Sequence, residues 1–221
     1  MISAIEDSRT EFKIKFVDDK NKLAIDTYNL IASEYNNEFG TDYSDTPYID
    51  KFLESLNGKE ILDIGCGLGN LTNYMNEHGF NVIGIDLSDE MLKIAKSKYE
   101  HITFKKMDMR EVNIDKHFDG ISLLYSLFHI TKMEVEIVLT KYYNLLKENG
   151  KMLVILQDGN GEKVVKEPLN KDLSMFVNYY NLEEITNVLK KHKFNIIYSA
   201  YKKGTEGSLS NKKIVILCEK L

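Results

Sequence analysis

Apolar positions recur along this chain with two different rhythms. From Lys20 to Asn37 they fall at Ala24, Tyr28, Ile31, Ala32 and Tyr35, the spacing of one helical face. Gly40 and Pro47 break that run within "GTDYSDTPYI". A second helix is expected after them, with Tyr48, Ile49, Phe52, Leu53 and Leu56 on one side and Asn57-Gly58 at its end. Short apolar runs then take over: "EILDIG" (60–65), "NVIGID" (81–86), "ITFKKMD" (102–108), "FDGISLLY" (118–125) and "GKMLVILQ" (150–157). These read as buried strands. Helical stretches at 70–78, 88–99 and 131–147 separate them, with a shorter connection after Asp108. Ser88 before Asp89-Glu90 marks a helix start, and Gly150 a helix stop.

Strands alternating with helices imply βαβ units and a mainly parallel sheet covered on both faces. After Gln157 the pattern loosens, and residues 158–181 read as an irregular excursion over the sheet. Asn181 is expected to cap a helix, with Glu184 completing a reciprocal capping pair and Leu182, Ile185, Val188 and Leu189 facing inward. Two last strands, "FNIIYSAY" (194–201) and "KIVILCE" (213–219), flank the Gly-rich "KKGTEGSLSN" as an antiparallel hairpin closing one sheet edge. The expected fold is a doubly wound α/β sheet of seven strands, mainly parallel, with an antiparallel C-terminal hairpin. Residues 1–57 form an arm and two helices covering the site, and 58–221 the core that carries it, within one structural domain. Residues 1–19 follow neither period and are expected to form a mobile arm.

The 221 residues suffice for one sizeable core. Two cysteines, Cys66 and Cys218, provide neither a disulfide framework nor a metal cluster, which fits a reducing cytoplasm. No apolar run approaches the roughly 18 residues of a membrane span, and the N-terminus lacks a signal-peptide core. The net charge of −5 is uneven: residues 141–221 carry +5 and residues 1–140 carry −10. An acidic chain is a poor non-specific ligand for nucleic acid. The lysine-rich C-terminal part reads as a solvated face, with an anionic partner as the alternative. Composition leaves monomer and homodimer both open.

Candidate chemistry gathers at the strand ends, where ligands bind in open α/β sheets. The first strand ends at Asp63-Ile64-Gly65 and runs into "GCGLG". Gly65 and Gly67 permit a tight turn and a close approach to a ligand, and Gly69 lets the next helix pack near the strand. The second strand ends at Asp86, 21 residues after Gly65, where a carboxylate can accept both hydroxyls of a ribose. The third ends at Asp108 between Met107 and Met109: an acceptor for an adenine amino group beside soft apolar side chains. Together these positions outline an adenosine site. The glycine spacing is G-x-G-x-G, one position short of the G-x-G-x-x-G that opens a helix onto a pyrophosphate. Asp63 would also sit unfavourably beside a phosphate.

The ordered set resembles the class I S-adenosylmethionine-dependent methyltransferases. "ILDIGCGLG" is similar to that family's first motif, "VIGIDLSDEML" to its ribose motif, "MDMRE" to its adenine motif and "FDGISLLYSLFHI" to its fourth-strand motif. "LLKENGKMLVI" resembles the entry to its fifth strand. The likeness runs from about Tyr28 to the C-terminus. It implies a Rossmann-like fold and S-adenosylmethionine as cofactor, leaving as S-adenosylhomocysteine, with no metal. It further implies that Asp63 serves the cationic methionine tail. Tyr28, Cys66, Leu87, Met91, Leu124 and Tyr125 are then expected to line the cofactor with the glycines and acids already named. Cys66 reads as a small packing residue, with no activating base evident nearby.

Methyl transfer mainly needs donor and acceptor aligned, and a base only where the acceptor loses a proton. The candidate acceptor pocket lies past the fourth strand, at Tyr125, Ser126, Leu127, Phe128 and His129. His129 is the candidate base or acceptor contact; its alternative role is a histidine that only hydrogen-bonds its surroundings. Tyr125 is a second candidate for the reacting end. Met175, Phe176, Tyr179 and Tyr180 are expected to wall or partly cover the acceptor. There is no Asn-Pro-Pro-Tyr or Asp-Pro-Pro-Tyr run and no Pro-Cys nucleophile, so base-flipping chemistry is not expected. By elimination the acceptor is a small molecule methylated on O or N. A methyltransferase for tRNA or protein and a non-catalytic cofactor-binding scaffold are the rival readings.

Overall fold

The computed structural model describes residues 20–204 and 209–221. The expected arm, residues 1–19, and part of the Gly-rich loop, 205–208, lie outside the described residues. Two helices lead in, α1 (Lys20–Phe39) and α2 (Thr46–Ser55). Pro47 sits in the first turn of α2, where its missing N–H leaves no helical bond unmade. Then follow β1 (Glu60–Ile64), α3 (Asn70–Glu77), β2 (Asn81–Asp86), α4 (Asp89–Lys98), β3 (Thr103–Lys106), β4 (Phe118–Leu124), α5 (Lys132–Leu145) and β5 (Leu146–Gln157). A hairpin of β6 (Gly161–Lys166) and β7 (Ser174–Tyr179) precedes α6 (Leu182–Lys191), β8 (Phe194–Lys203) and β9 (Lys212–Lys220).

The main sheet has seven strands in the order β3-β2-β1-β4-β5-β9-β8. Its first five strands are parallel, and β9 pairs antiparallel with both β5 and β8. Both faces are covered, which explains the unbroken apolar runs. Ile61, Leu153, Ile155, Val215 and Leu217 face α2 and α3, while Leu62, Ile64, Met152, Val154 and Ile216 face the opposite core. The doubly wound, mainly parallel architecture matches the sequence reading.

Four local expectations are corrected. Residues 158–181 are no irregular excursion: β6 and β7 pair in register from Gly161 opposite Tyr179 to Lys166 opposite Ser174. The outer strand is almost wholly exposed and so carries no apolar alternation to read. Gly150 does not stop α5, which ends at Leu145 because Leu146 already pairs with Phe118. The left-handed residue beside Gly150 is Asn149 (φ 60°), within β5 where its register with β4 shifts. Asn181 accepts from the backbone N–H of Glu184 (2.9 Å), but the Glu184 carboxylate bonds Lys132 in place of closing a reciprocal pair. The complete capping box belongs to Thr131 and Glu134 at the start of α5. Finally, β3 ends at Lys106, because Asp108 turns the chain by accepting from the Arg110 backbone N–H (2.8 Å).

Candidate active site

The carboxyl ends of β1, β2, β4, β5 and β8 and the amino end of antiparallel β9 open into one cavity of about 660 Å³. That lies within the roughly 300–1,000 Å³ of small-molecule sites. Helix α1 roofs it with Ala24, Ile25, Tyr28 and Tyr35, and the segment between β6 and β7 adds Glu167 and Leu169. Helix α1 is placed there partly by the Thr27 hydroxyl, which donates to the Ser174 carbonyl of β7 (2.8 Å).

The floor is the turn after β1. Gly65, Gly67 and Gly69 all have positive φ (74°, 52° and 75°), which L side chains rarely adopt. A Cβ on Gly65 would lie 2.3 Å from the Ser126 Cβ. A Cβ on Gly67 would meet no protein atom within 4 Å, and Gly67 faces the cavity. A Cβ on Gly69 would strike the Phe104 ring of β3 at 2.7 Å, so the third glycine admits a neighbouring strand's side chain under the start of α3.

Two carboxylates face this turn. Asp63, on β1, is buried and accepts the hydroxyls of Thr72 (2.6 Å) and of Ser122 on the adjacent strand β4 (2.7 Å). Burial nonetheless pushes its carboxyl up to about 6, against those two bonds and with Asp86 adding to the rise. Asp86, at the end of β2, accepts from the backbone N–H of Gly67 and of Ser88, both at 2.9 Å. Burial raises its carboxyl as well. Among the described residues neither acid is paired with a cation. Leu87, Met91, Met107, Met109 and Cys66 provide apolar walls beside them. Burial raises the Cys66 thiol well above its ordinary value, which leaves it a packing group.

Asp108 is not among the residues that line the cavity; its carboxylate binds the guanidinium of Arg110 (2.7–3.1 Å). Arg110 is only 4% exposed and also bonds Glu134 of α5 (2.9 Å), so two acids neutralise a buried cation that the sequence reading passed over. At this strand end it is Met107 and Met109 that reach the cavity.

At the far end of β4, Leu124, Tyr125, Ser126, Phe128 and His129 line the cavity, whereas Leu127 is turned into the core. Tyr125 has φ 60°, a left-handed backbone, and its hydroxyl donates to Asp45 (3.2 Å). His129 is buried with both ring nitrogens engaged. Its Nδ1 lies 3.1 Å from the Phe176 carbonyl and its Nε2 3.0 Å from the Tyr28 hydroxyl. The carbonyl can only accept, so Nδ1 carries the proton and Nε2 accepts from Tyr28. Burial draws the imidazole down to about 4, so it is neutral near pH 7. Of the four expected wall residues of 158–181, Met175 alone lines the cavity; Phe176, Tyr179 and Tyr180 pack elsewhere.

Sequence reasoning missed Asp45, Gln157, Lys202 and Lys213, which line the cavity beyond Tyr125. One signal was present: Gln157 is a polar residue that follows the apolar run Met152–Leu156 at the end of its strand, and polar strand ends in such folds face the site.

A family described as the methyltransferase domain matches residues 61–150. A putative methyltransferase of Invertebrate iridescent virus 6 is 30% identical over 161 residues, 70% of this chain and 59% of that protein. The chain thus spans less than two thirds of that relative's length. An uncharacterized methyltransferase of Alkaliphilus oremlandii is 31% identical over 151 residues, 63% of this chain and 70% of the relative. The crystal structure of magnesium protoporphyrin IX methyltransferase from Synechocystis with bound S-adenosylmethionine shares the fold at 16% identity and a TM-score of 0.70, covering 94% of this chain and all of that one. With the glycine turn, the acid-ended strands and the β3-β2-β1-β4-β5-β9-β8 sheet, these similarities establish that the chain belongs to the class I S-adenosylmethionine-dependent methyltransferases.

Proposed function

We propose that this chain transfers a methyl group from S-adenosylmethionine to oxygen or nitrogen of a small molecule. The observation that carries this reading is a pair of carboxylates, buried Asp63 and half-buried Asp86, facing one cavity and, among the described residues, paired with no cation. Such a pair suits a ligand that brings a positive charge and sugar hydroxyls, and disfavours a pyrophosphate. The open space above Gly67 fits the close passage of a cofactor along the turn.

In this reading Asp86 accepts the ribose hydroxyls while the Gly67 and Ser88 N–H groups hold its carboxylate in place. Met107 and Met109 cover the adenine. Asp63, fixed by Thr72 and Ser122, faces the methionine ammonium, directly or through water. Tyr28 closes over that end from α1. Held by these residues, S-adenosylmethionine would supply a methyl group on a sulfonium, open to in-line attack by an acceptor lone pair with a neutral thioether as leaving group. His129 donates through Nδ1 and accepts through Nε2, so it holds Tyr28 in position and has no free lone pair to serve as a base. The acceptor's proton therefore leaves by a route that does not use His129. The roof of α1 and the small cavity favour a small acceptor over tRNA or protein.

Calorimetry with S-adenosylhomocysteine and NAD tests the reading. S-adenosylhomocysteine is expected to bind and NAD not to. Asp86→Ala is expected to weaken binding about 100-fold, as two hydrogen bonds to a charged group are lost. Tight NAD binding without S-adenosylhomocysteine binding would refute it.

A further inference from the structure

The cavity has a second end with the opposite charge. Across the edge of the sheet, Gln157 of β5, Lys213 of β9 and Lys202 of β8 are register neighbours on the face covered by α2. Asp45, just before α2, takes the Lys202 ammonium (2.6 Å) and the Tyr125 hydroxyl (3.2 Å). Lys202 and Asp45 therefore neutralise each other. Among the described residues Lys213 has no such partner. It is 5% exposed, it lines the cavity, and its ammonium donates to Gln157 Oε1 with the Tyr125 ring 5.9 Å away.

An ammonium has three N–H donors. Among the described residues one acceptor meets them, so this buried cation is under-satisfied. Burial and the Lys202 charge lower its proton affinity to about 8; Asp45, committed to Lys202, offsets this only in part and leaves the site short of a counter-charge. Asp63 and Asp86 do not supply one. In the sheet order β1 is followed by β4, β5 and β9, so three strand spacings, roughly 14 Å, separate Asp63 from Lys213. A methionine tail whose ammonium is held at Asp63 has its carboxylate on the same carbon, far short of Lys213.

We propose that the methyl acceptor carries an anionic group, a carboxylate or a phosphate, that docks on Lys213 beside Gln157 and Tyr125. This rests on the methyltransferase reading and names its substrate class. The anion completes the hydrogen bonds of Lys213 and balances its charge. It also fixes the acceptor against the reacting end formed by Tyr125 and Tyr28. The Lys202–Asp45 pair walls the site and keeps Asp45 from filling the place of the ligand.

The test follows the Lys213 side-chain NMR signal in lysine-labelled protein, assigned with Lys213→Gln, with and without S-adenosylhomocysteine. The probes are para-hydroxybenzoate, its neutral analogue para-hydroxybenzamide, and inorganic phosphate. At least one anion is expected to shift Lys213 in both states, with the amide binding about 10- to 100-fold more weakly than the benzoate. Lys213→Met and the milder Lys213→Gln are expected to abolish that preference while S-adenosylhomocysteine binds within about twofold of wild type. Three results would overturn the proposal: no anion shifts Lys213, the amide binds as well as the acid, or S-adenosylhomocysteine displaces the anion or loses affinity in the variants. Failure of the wild-type protein to bind S-adenosylhomocysteine would instead sink the methyltransferase reading, while the titrations without it still report on Lys213.

Discussion

Replacing Asp63 with asparagine should stabilise the free protein and weaken its cofactor binding together. Burial raises this carboxyl from an ordinary 3.8 to about 6. In the intervening pH range the native state holds a proton that the unfolded chain has released, so stability falls as pH rises from about 4 to about 6. Above that window the ionised side chain costs the fold about 3 kcal/mol, two pKa units at about 1.4 kcal/mol each. Asparagine keeps the shape and carries no charge. Its oxygen can accept from Thr72 or Ser122, and the other hydroxyl can turn to accept from its amide. Near pH 7.5 Asp63→Asn should therefore raise the thermal midpoint by roughly 6–12 °C for a chain of this size. Near pH 4.5 the gain should shrink to about a third. Calorimetric unfolding of both proteins at the two pH values measures this, and titration with S-adenosylhomocysteine should show at least a tenfold loss of affinity. An Asp63→Asn protein less stable than wild type near pH 7.5, with a difference independent of pH, would refute the account of a buried carboxylate held for a cationic ligand.

Two further outcomes test the surroundings of the site. His129, lowered to about 4 and engaged at both nitrogens, should contribute no limb to the pH profile of kcat/KM between about pH 6 and 8. His129→Ala should lower the rate through a looser Tyr28 and leave the profile's shape unchanged; a limb near pH 6.5 present in wild type and lost in the variant would make it a base after all. Arg110→Met should destabilise the protein by about 3–5 kcal/mol in denaturant unfolding, because Asp108 and Glu134 lose a buried counter-charge. A change under about 0.5 kcal/mol would show that those acids are adequately solvated without it.

Legibility in the sequence followed the distance over which each feature is encoded. β1 is buried on both faces, so "EILDIG" reads as a strand from its own residues. The glycine turn and Asp86 were readable because backbone sterics and strand ends are local properties. β6 was unreadable because an exposed strand needs no apolar alternation. The Asp108–Arg110 pair was unreadable for a related reason. A carboxylate at a strand end looks alike with or without a buried arginine two residues on, and Glu134 of α5, which helps hold that arginine, is distant in sequence.

The sequence by itself therefore determined the order of elements outside the β6–β7 hairpin, the parallel core and the tight turn beside Asp63 and Asp86, all of which follow from hydrophobic period and local backbone preference. Only the tertiary structure decided which side chains share the cavity. The insertion of β9 between β5 and β8 brings Gln157, Lys213 and Lys202 side by side, and their charge acquires meaning only there. The same assembly turns His129 toward Tyr28 and away from a free role, because hydrogen-bond partners from α1 and β7 are set by packing. A lysine in a lysine-rich segment is a solvated charge by default; burial at the end of a sheet makes it a binding site.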